Sequence, residues 1–234
     1  MRQVILDTET TGLEWEHGHR VIEIGCVELL DRQMTKNQFH CFLNPERNID
    51  HDALHVHGIS EEFLADKPKF GEIVEEFMTF IEGSELIIHN APFDIGFLNN
   101  ELSLIDKKLA TIGDICKIQD TLQLARQLHP GQRNSLDALC KRYNVDNSHR
   151  SLHGALLDAE ILAEVYLAMT GGQTELLFQQ PGPHEGGTED RDTLGFVSSA
   201  GPELKVIYPT TLEREQHDLW VSNLSDDQLW KRID

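Results

Sequence analysis

The sequence predicts an α/β fold: a mixed five-stranded central sheet flanked by helices, with a flexible C-terminal tail. Three observations carry this. Three strand-like runs lie close together near the start, strand and helix patterns alternate after them, and the apolar periodicity stops at Gly171-Gly172.

Residues 3–8 read as a strand, and the run Val4-Ile5-Leu6 places that strand inside the sheet, covered on both faces. "RVIEIGCVELL" (20–30) alternates apolar residues with β-branched content and reads as a second. "NQFHCFLNP" (37–45) reads as a third, stopped by Pro45. In "GEIVEEFMTFI" (71–81), Ile73, Val74, Phe77, Phe80 and Ile81 share one helical stripe. "ELIIHN" (85–90) is a short buried strand. "APFDIGFLNNEL" (91–102) then turns helical, with Asn90 as a cap and Pro92 in the first turn. A short strand is expected at 116–118, and helices at 122–128, 135–143 and 155–169.

These elements form an expected domain over 1–172. Glycine, proline, serine and acids dominate "QQPGPHEGGTEDRD", so 179–205 reads as a flexible linker. Apolar residues return in 206–234. Thr210 and Glu213 have capping-box spacing, as do Ser225 and Gln228. Leu212, Leu219, Trp220, Leu224, Leu229 and Trp230 are too few for a core, so this tail reads as a segment that folds on a partner.

A chain of 234 residues, 39% apolar and 26% charged, can bury a full core. No apolar run is long enough to span a membrane, and the short apolar stretch after Met1-Arg2-Gln3 reads as a strand, not a signal peptide. Cys26, Cys41, Cys116 and Cys140 form no CxxC pair, as expected of buried, reduced thiols in a cytoplasmic protein. The net charge of −20 argues against holding nucleic acid by a broad basic surface. A nuclease is compatible with it if metal ions supply local positive charge and a partner delivers the substrate.

The chemistry starts in "VILDTETTGL" (4–13). Side chains alternate along a strand, so Asp7 and Glu9 project to the same side at the end of a covered strand. Two such anions raise each other's pKa unless a cation lies between them, and a hard divalent cation with oxygen ligands meets that need. Asp94 stands in the first turn of a helix that follows a buried strand, and the helix dipole alone would also favour an acid there. In "HGALLDAEILAEVYLAM", Asp158 lies beside the apolar stripe of Leu157, Ile161, Val165 and Met169, unlike Glu160 and Glu164, which are expected to face solvent. His153 precedes Asp158 by five residues, ~140° around an ideal helix, so it is expected in the lead-in before Gly154. Asp120 and Asp137 are rival carboxylates, each with a simpler role near a helix start. His55 and His57 have no further ligand at zinc spacing.

"DTETTG", "HNAPFDIGF" and "HGALLDAEILAEVY", reinforced by "RNSLDALCKRY", resemble the three motifs of the DEDDh 3′→5′ exonucleases. The resemblance covers roughly residues 1 to 175 and implies an RNase H-like sheet. It also implies a proofreading hydrolase that removes mismatched 3′-terminal nucleotides as 5′-monophosphates for a replicative DNA polymerase. Asp7, Glu9, Asp158 and Asp94 would then hold two divalent ions, Mg²⁺ or Mn²⁺, and His153 would act as general base. The segment "DALHVHGIS" is similar to the family's loop at the terminal nucleotide. It places Asp52, where the family usually has Glu, and His57 near substrate, with Thr10 and Leu13 in the same pocket; Asp7, Glu9 and Asp158 would also touch substrate. "QTELLF" (173–178) resembles a sliding-clamp docking motif, with Gln173 orienting and Leu176, Leu177 and Phe178 filling an apolar pocket. The partners implied are a single-stranded or frayed 3′ end of DNA, the polymerase III alpha subunit on the tail, the clamp and a small accessory core subunit. The rival readings are an RNA-trimming exonuclease of the same superfamily and a silent adaptor on the same scaffold.

Overall fold

The computed structural model describes residues 1–148, 152–171 and 209–222. Its first three strands, β1 (Arg2–Thr10), β2 (Val21–Leu30) and β3 (Gln33–Phe42), form an antiparallel meander. Asp31 and Arg32 make the β2–β3 turn with φ of 49° and 66°, the left-handed pair that a two-residue hairpin requires. A 3₁₀ turn (Trp15–His17) interrupts the β1–β2 link. Short helices α1 (His51–His57) and α2 (Glu61–Leu64) lead into α3 (Phe70–Ile81). Then follow β4 (Glu85–Ile88), α4 (Ala91–Ile105), α5 (Ile112–Ile115), β5 (Lys117–Asp120), α6 (Thr121–Leu128), α7 (Leu136–Tyr143) and α8 (Ala155–Thr170). The sheet order is β3-β2-β1-β4-β5, with β4 parallel to β1 and β5 parallel to β4, so the expected mixed five-stranded sheet is present.

β1 is central, and its two faces serve two cores. Val4 and Leu6 pack with Phe77, Phe97 and Leu98 beneath α3 and α4. Ile5 packs with Ala159, Leu162 and Val165 beneath α8. All three β1 residues are fully buried, and each such side chain contributes about 1.5–3 kcal/mol of transfer free energy. That two-sided cover explains an apolar run where a one-sided strand would alternate.

α4 is tied down at its far end. Glu101, 1% exposed, accepts two 2.7 Å bonds from the Arg20 guanidinium and a third from the Val21 amide. α8 crosses the meander with no gap: a Cβ on Gly25 would lie 2.2 Å from the Leu156 amide nitrogen and 2.3 Å from the Ala155 carbonyl carbon. Backbone cannot yield as a side-chain tip can. Gly25→Ala is therefore expected to displace α8, lowering the urea midpoint by an amount equivalent to roughly 1–3 kcal/mol or more. An unchanged midpoint would show that the helix tolerates the extra methyl.

Several boundaries differ from the expectations. β1 extends through Thr10, so Asp7 and Glu9 lie inside the strand. β3 starts at Gln33 and ends at Phe42, short of Pro45; as an edge strand it is largely exposed, so its polar first half carries no apolar signal. α1, α2, α5 and the 3₁₀ turn were not anticipated, being too short for a periodicity to develop. Asn90 occupies the cap position of α4 without a side-chain cap bond; its backbone is left-handed (φ 67°, ψ 48°) and its amide donates to Asp120 Oδ1 at 3.2 Å. Cys41 is only half-buried, while Cys26, Cys116 and Cys140 are buried, and all four are free thiols.

The chain divides into two compact units, Met1–Gln180 and Pro181–Asp234. Residues 173–178 and 179–205, and with them the clamp motif and the linker, lie outside the described residues. In the tail, α9 (Thr211–Ser222) forms behind the expected capping box: the Thr210 amide donates to Glu213 Oε2 (2.7 Å) and the Glu213 amide to Thr210 Oγ1 (3.3 Å). Ser225 and Gln228 are outside the described residues. Among those described, no helix is long and apolar enough to cross a membrane.

Candidate active site

The alternation of β1 distributes the sequence Asp-Thr-Glu between two helices. Asp7 and Glu9 share the Ile5 side, beneath α8, whose first turn carries Asp158. Thr8 shares the side of Val4 and Leu6, beneath α4, whose first turn carries Asp94. The Thr8 hydroxyl donates to Asp94 Oδ1 at 2.7 Å. The threonine between the two acids thus holds a third acid from the opposite face of the strand.

Asp94 and Asp158 are each 3% exposed and Glu9 9%. Burial pushes the Asp94 carboxyl up to about 7; bonds from Thr8 and from backbone amides pull the other way, and the nearby Asp120 charge adds to the rise. Asp7, Glu9, Asp94, Asp137, His153 and Asp158 line one cleft of about 690 Å³, within the usual range for ligand sites. His153 lies ahead of α8, as expected from its spacing. Its amide donates to the Val56 carbonyl (3.1 Å), and its Nδ1 is 3.3 Å from Asp158 Oδ2.

Glu9, His153 and Asp158 can each turn one ligand atom to within 4.8 Å of the others, the only such three-residue group among the described residues. Carboxylate oxygens dominate this donor set and Asp7 and Asp94 border it, which fits a hard divalent cation. Among the described residues no comparable group forms at His55 or His57. His55 Nδ1 bonds the His51 carbonyl (2.7 Å), and His57 Nδ1 accepts from the Ile59 amide (3.0 Å).

The anticipated substrate contacts are placed unevenly. His57 is 4% exposed, and its buried Nε2 has no hydrogen-bond partner among the described residues. Burial lowers the pKa of its ring; the charge of Glu23 and the nearby Thr10 backbone oppose the fall, and the charge of His153 adds to it. Thr10 is buried and donates to the Gly12 carbonyl at 2.7 Å. Leu13 and Asp52 are exposed, and none of His57, Thr10, Leu13 and Asp52 lines the cleft. The rival carboxylates also resolve. Asp120 accepts from the Leu122 and Gln123 amides as the cap of α6, whereas Asp137, in the first turn of α7, borders the cleft and accepts from Asn147.

Three residues escaped the sequence reading. Thr8 carries no signal in the sequence beyond its place in a strand. Gly25, paired with Asp7 across the strands, admits the helix that brings Asp158. Glu23, 3% exposed, lies opposite Glu9 and is bonded by His40 Nε2 at 2.7 Å. An acid at an inward position of an otherwise apolar strand was the available signal for Glu23.

Several known proteins are similar to this chain. DNA polymerase III subunit epsilon of Escherichia coli strain K12 is 50% identical over 224 residues, covering 93% of this chain and 90% of that protein. The protein of the same name from Rickettsia typhi is 54% identical over 227 residues, covering 96% and 97%. Among solved structures, exonuclease X in complex with 5′-overhanging duplex DNA superposes with a TM-score of 0.57 at 29% identity, covering 74% of this chain and 95% of that one. The nuclease domain of 3′hExo, a DEDDh family member bound to rAMP, shares the fold with a TM-score of 0.61 at 19% identity, covering 72% and 90%. The model of the RNase T exonuclease family matches residues 4–166. The chain belongs to that exonuclease family.

Proposed function

We propose that this chain is the 3′→5′ proofreading exonuclease of a replicative DNA polymerase, removing mismatched 3′-terminal nucleotides as 5′-monophosphates. The observation that carries the reading is the convergence of Glu9, His153 and Asp158 in one cleft with Asp7 and Asp94, on a chain about half identical to polymerase III epsilon subunits. Family membership implies divalent metal ions. Asp7, Glu9, Asp94 and Asp158 would hold two of them, Mg²⁺ or Mn²⁺. Bound there, such ions stabilise the negative charge that develops on the attacking and leaving oxygens of an in-line displacement.

The chain's own groups do the rest. Thr8 keeps one Asp94 oxygen fixed, so that acid need not be ordered when substrate arrives. Asp158 holds the imidazole of His153 through Nδ1, and His153 takes the proton of the attacking water at Nε2. The water oxygen forms a new bond to phosphorus, and the bond from phosphorus to O3′ of the preceding nucleotide breaks. The departing O3′ takes a proton from solvent water, which leaves a nucleoside 5′-monophosphate and a shortened strand with a 3′ hydroxyl, and His153 returns its proton to solvent. His57, Thr10, Leu13 and Asp52 would contact the terminal nucleotide beside the cleft, none of the four being part of its lining.

His153→Ala is expected to lower kcat by about 10²–10⁴-fold and to leave the Mn²⁺ affinity, read by calorimetry, nearly unchanged. Loss of Mn²⁺ binding would make His153 a ligand, as its place beside Glu9 and Asp158 also allows. The function itself is tested by digesting matched and mismatched primers and an RNA strand, with and without chelator. Chelator-sensitive release of 5′-monophosphates, faster from mismatched DNA, is expected; preference for RNA would favour a trimming enzyme.

The remaining assignments concern assembly. The domain would occupy 1–172, Gln173 with Leu176, Leu177 and Phe178 would dock on a sliding clamp, 179–205 would link, and 206–234 would bind the polymerase alpha subunit. α9 supports a helical docking segment, because its Leu212, Leu219 and Trp220 are exposed in its own unit. A small accessory subunit and a cytoplasmic location complete the reading. Tethering to the polymerase would raise the local concentration of a frayed end that a −20 chain would otherwise repel.

A further inference from the structure

The cleft holds five carboxylates, from Asp7, Glu9, Asp94, Asp137 and Asp158, and a nucleic acid strand entering it brings more negative charge. Among the described residues its lining includes one lysine or arginine, Arg126. Leu122 and Arg126 stand four residues apart on α6 and so present one face of that helix to the cleft, opposite the acids of β1 and α8. The Arg126 guanidinium makes no hydrogen bond or ion pair with any described residue. The neighbouring Arg142, by contrast, is committed to Asn134 Oδ1 (3.0 Å) and the Arg133 carbonyl (2.8 Å). Burial lowers the pKa of His89 in the same lining; the charge of Asp120 and a backbone hydrogen bond at Asn134 oppose it, and the charge of Arg126 adds the smallest contribution to the fall.

From this placement we infer that Arg126 is a substrate-positioning residue, gripping a phosphodiester of the strand upstream of the bond that is cut. The inference rests on the exonuclease reading and assigns the wall of the cleft facing the acids. The acid side would be neutralised by the ions it holds, whereas α6 keeps a fixed cation one wall away, suited to the next negative group along the strand. A guanidinium matches a phosphate through paired N–H donors, which an ammonium cannot reproduce. The first turn of α7, with Asn134 and Ser135 on the same lining, completes a polar wall along which the backbone would run.

The test compares two substrates. One is a labelled single-stranded DNA oligonucleotide; the other is the p-nitrophenyl ester of a nucleoside 5′-monophosphate, which has no upstream phosphate. With the full chain and Mn²⁺, Arg126→Gln is expected to raise KM for the oligonucleotide about tenfold, with kcat changed far less. Hydrolysis of the ester should fall by a much smaller factor. The slope of log KM against log salt should drop by about 0.7, the value of one phosphate contact on a single strand. Arg126→Lys should restore that slope while recovering only part of the KM. Equal losses on both substrates, or an unchanged salt slope, would overturn the assignment while leaving the nuclease reading intact. A wild-type chain that hydrolyses neither substrate would sink both.

Discussion

Asp7→Asn leaves a folded chain whose exonuclease rate on a 3′-labelled strand falls by about 10³-fold or more, the loss of at least ~4 kcal/mol of transition-state stabilisation. The size follows from the position. Asp7 lies within the central strand, between Ile5 and Glu9 on the α8 side, so its carboxylate is held in place by the sheet itself. The fold should survive, because asparagine keeps the shape and removes a charge that the protein alone must bear beside Glu9 and Asp158. Circular dichroism and the urea midpoint check the fold; an activity within tenfold of wild type would remove Asp7 from the metal-holding set.

Asp94→Asn is expected to separate stability from activity. In the metal-free protein the Asp94 carboxyl has its pKa raised to about 7 by burial, against about 3.9 in an unfolded chain. Between those values the folded state binds the extra proton, so the contribution of Asp94 to stability is greatest at low pH, declines as pH rises towards 7 and is flat above it. Asparagine lacks this penalty and can still accept from Thr8 through its carbonyl. At pH 8 without metal, the variant should melt several degrees above wild type, since about 1 kcal/mol moves Tm by roughly 2–4 °C in a domain of this size. Near pH 4 the two should converge. Divalent ions should reverse the order by favouring the ionised wild-type acid, and the variant's nuclease activity should collapse in their presence. A variant less stable than wild type in chelator at pH 8 would show that burial does not set the Asp94 titration.

Much of the fold was legible because the apolar periodicities are strong where the core is deep. Val4-Ile5-Leu6 marks a strand covered twice, and the stripe through Ile73, Phe77 and Ile81 marks α3. Legibility failed where an element is short or exposed, as at α1, with only seven residues, and along the first half of β3. The acids were legible by kind and order. What supports them was not, since each supporting residue acts on a partner far along the chain. Thr8 looks like a spacer until Asp94 is folded beneath it, 86 residues away. Gly25 looks like a weak point in a strand until Leu156 is seen resting on it. Arg126 looks like an ordinary surface residue until the cleft shows how few cations face it.

The docking of α8 onto Gly25 also has a bearing on synthesis. The strands that carry Asp7 and Glu9 leave the ribosome well over a hundred residues before Asp158 does, an interval on the order of ten seconds at about 5–20 residues per second. Until then a half-made chain carries only part of the cutting apparatus. The acids of β1 and Asp158 therefore come together only once α8 has been made and has closed over the β1–β2 pair.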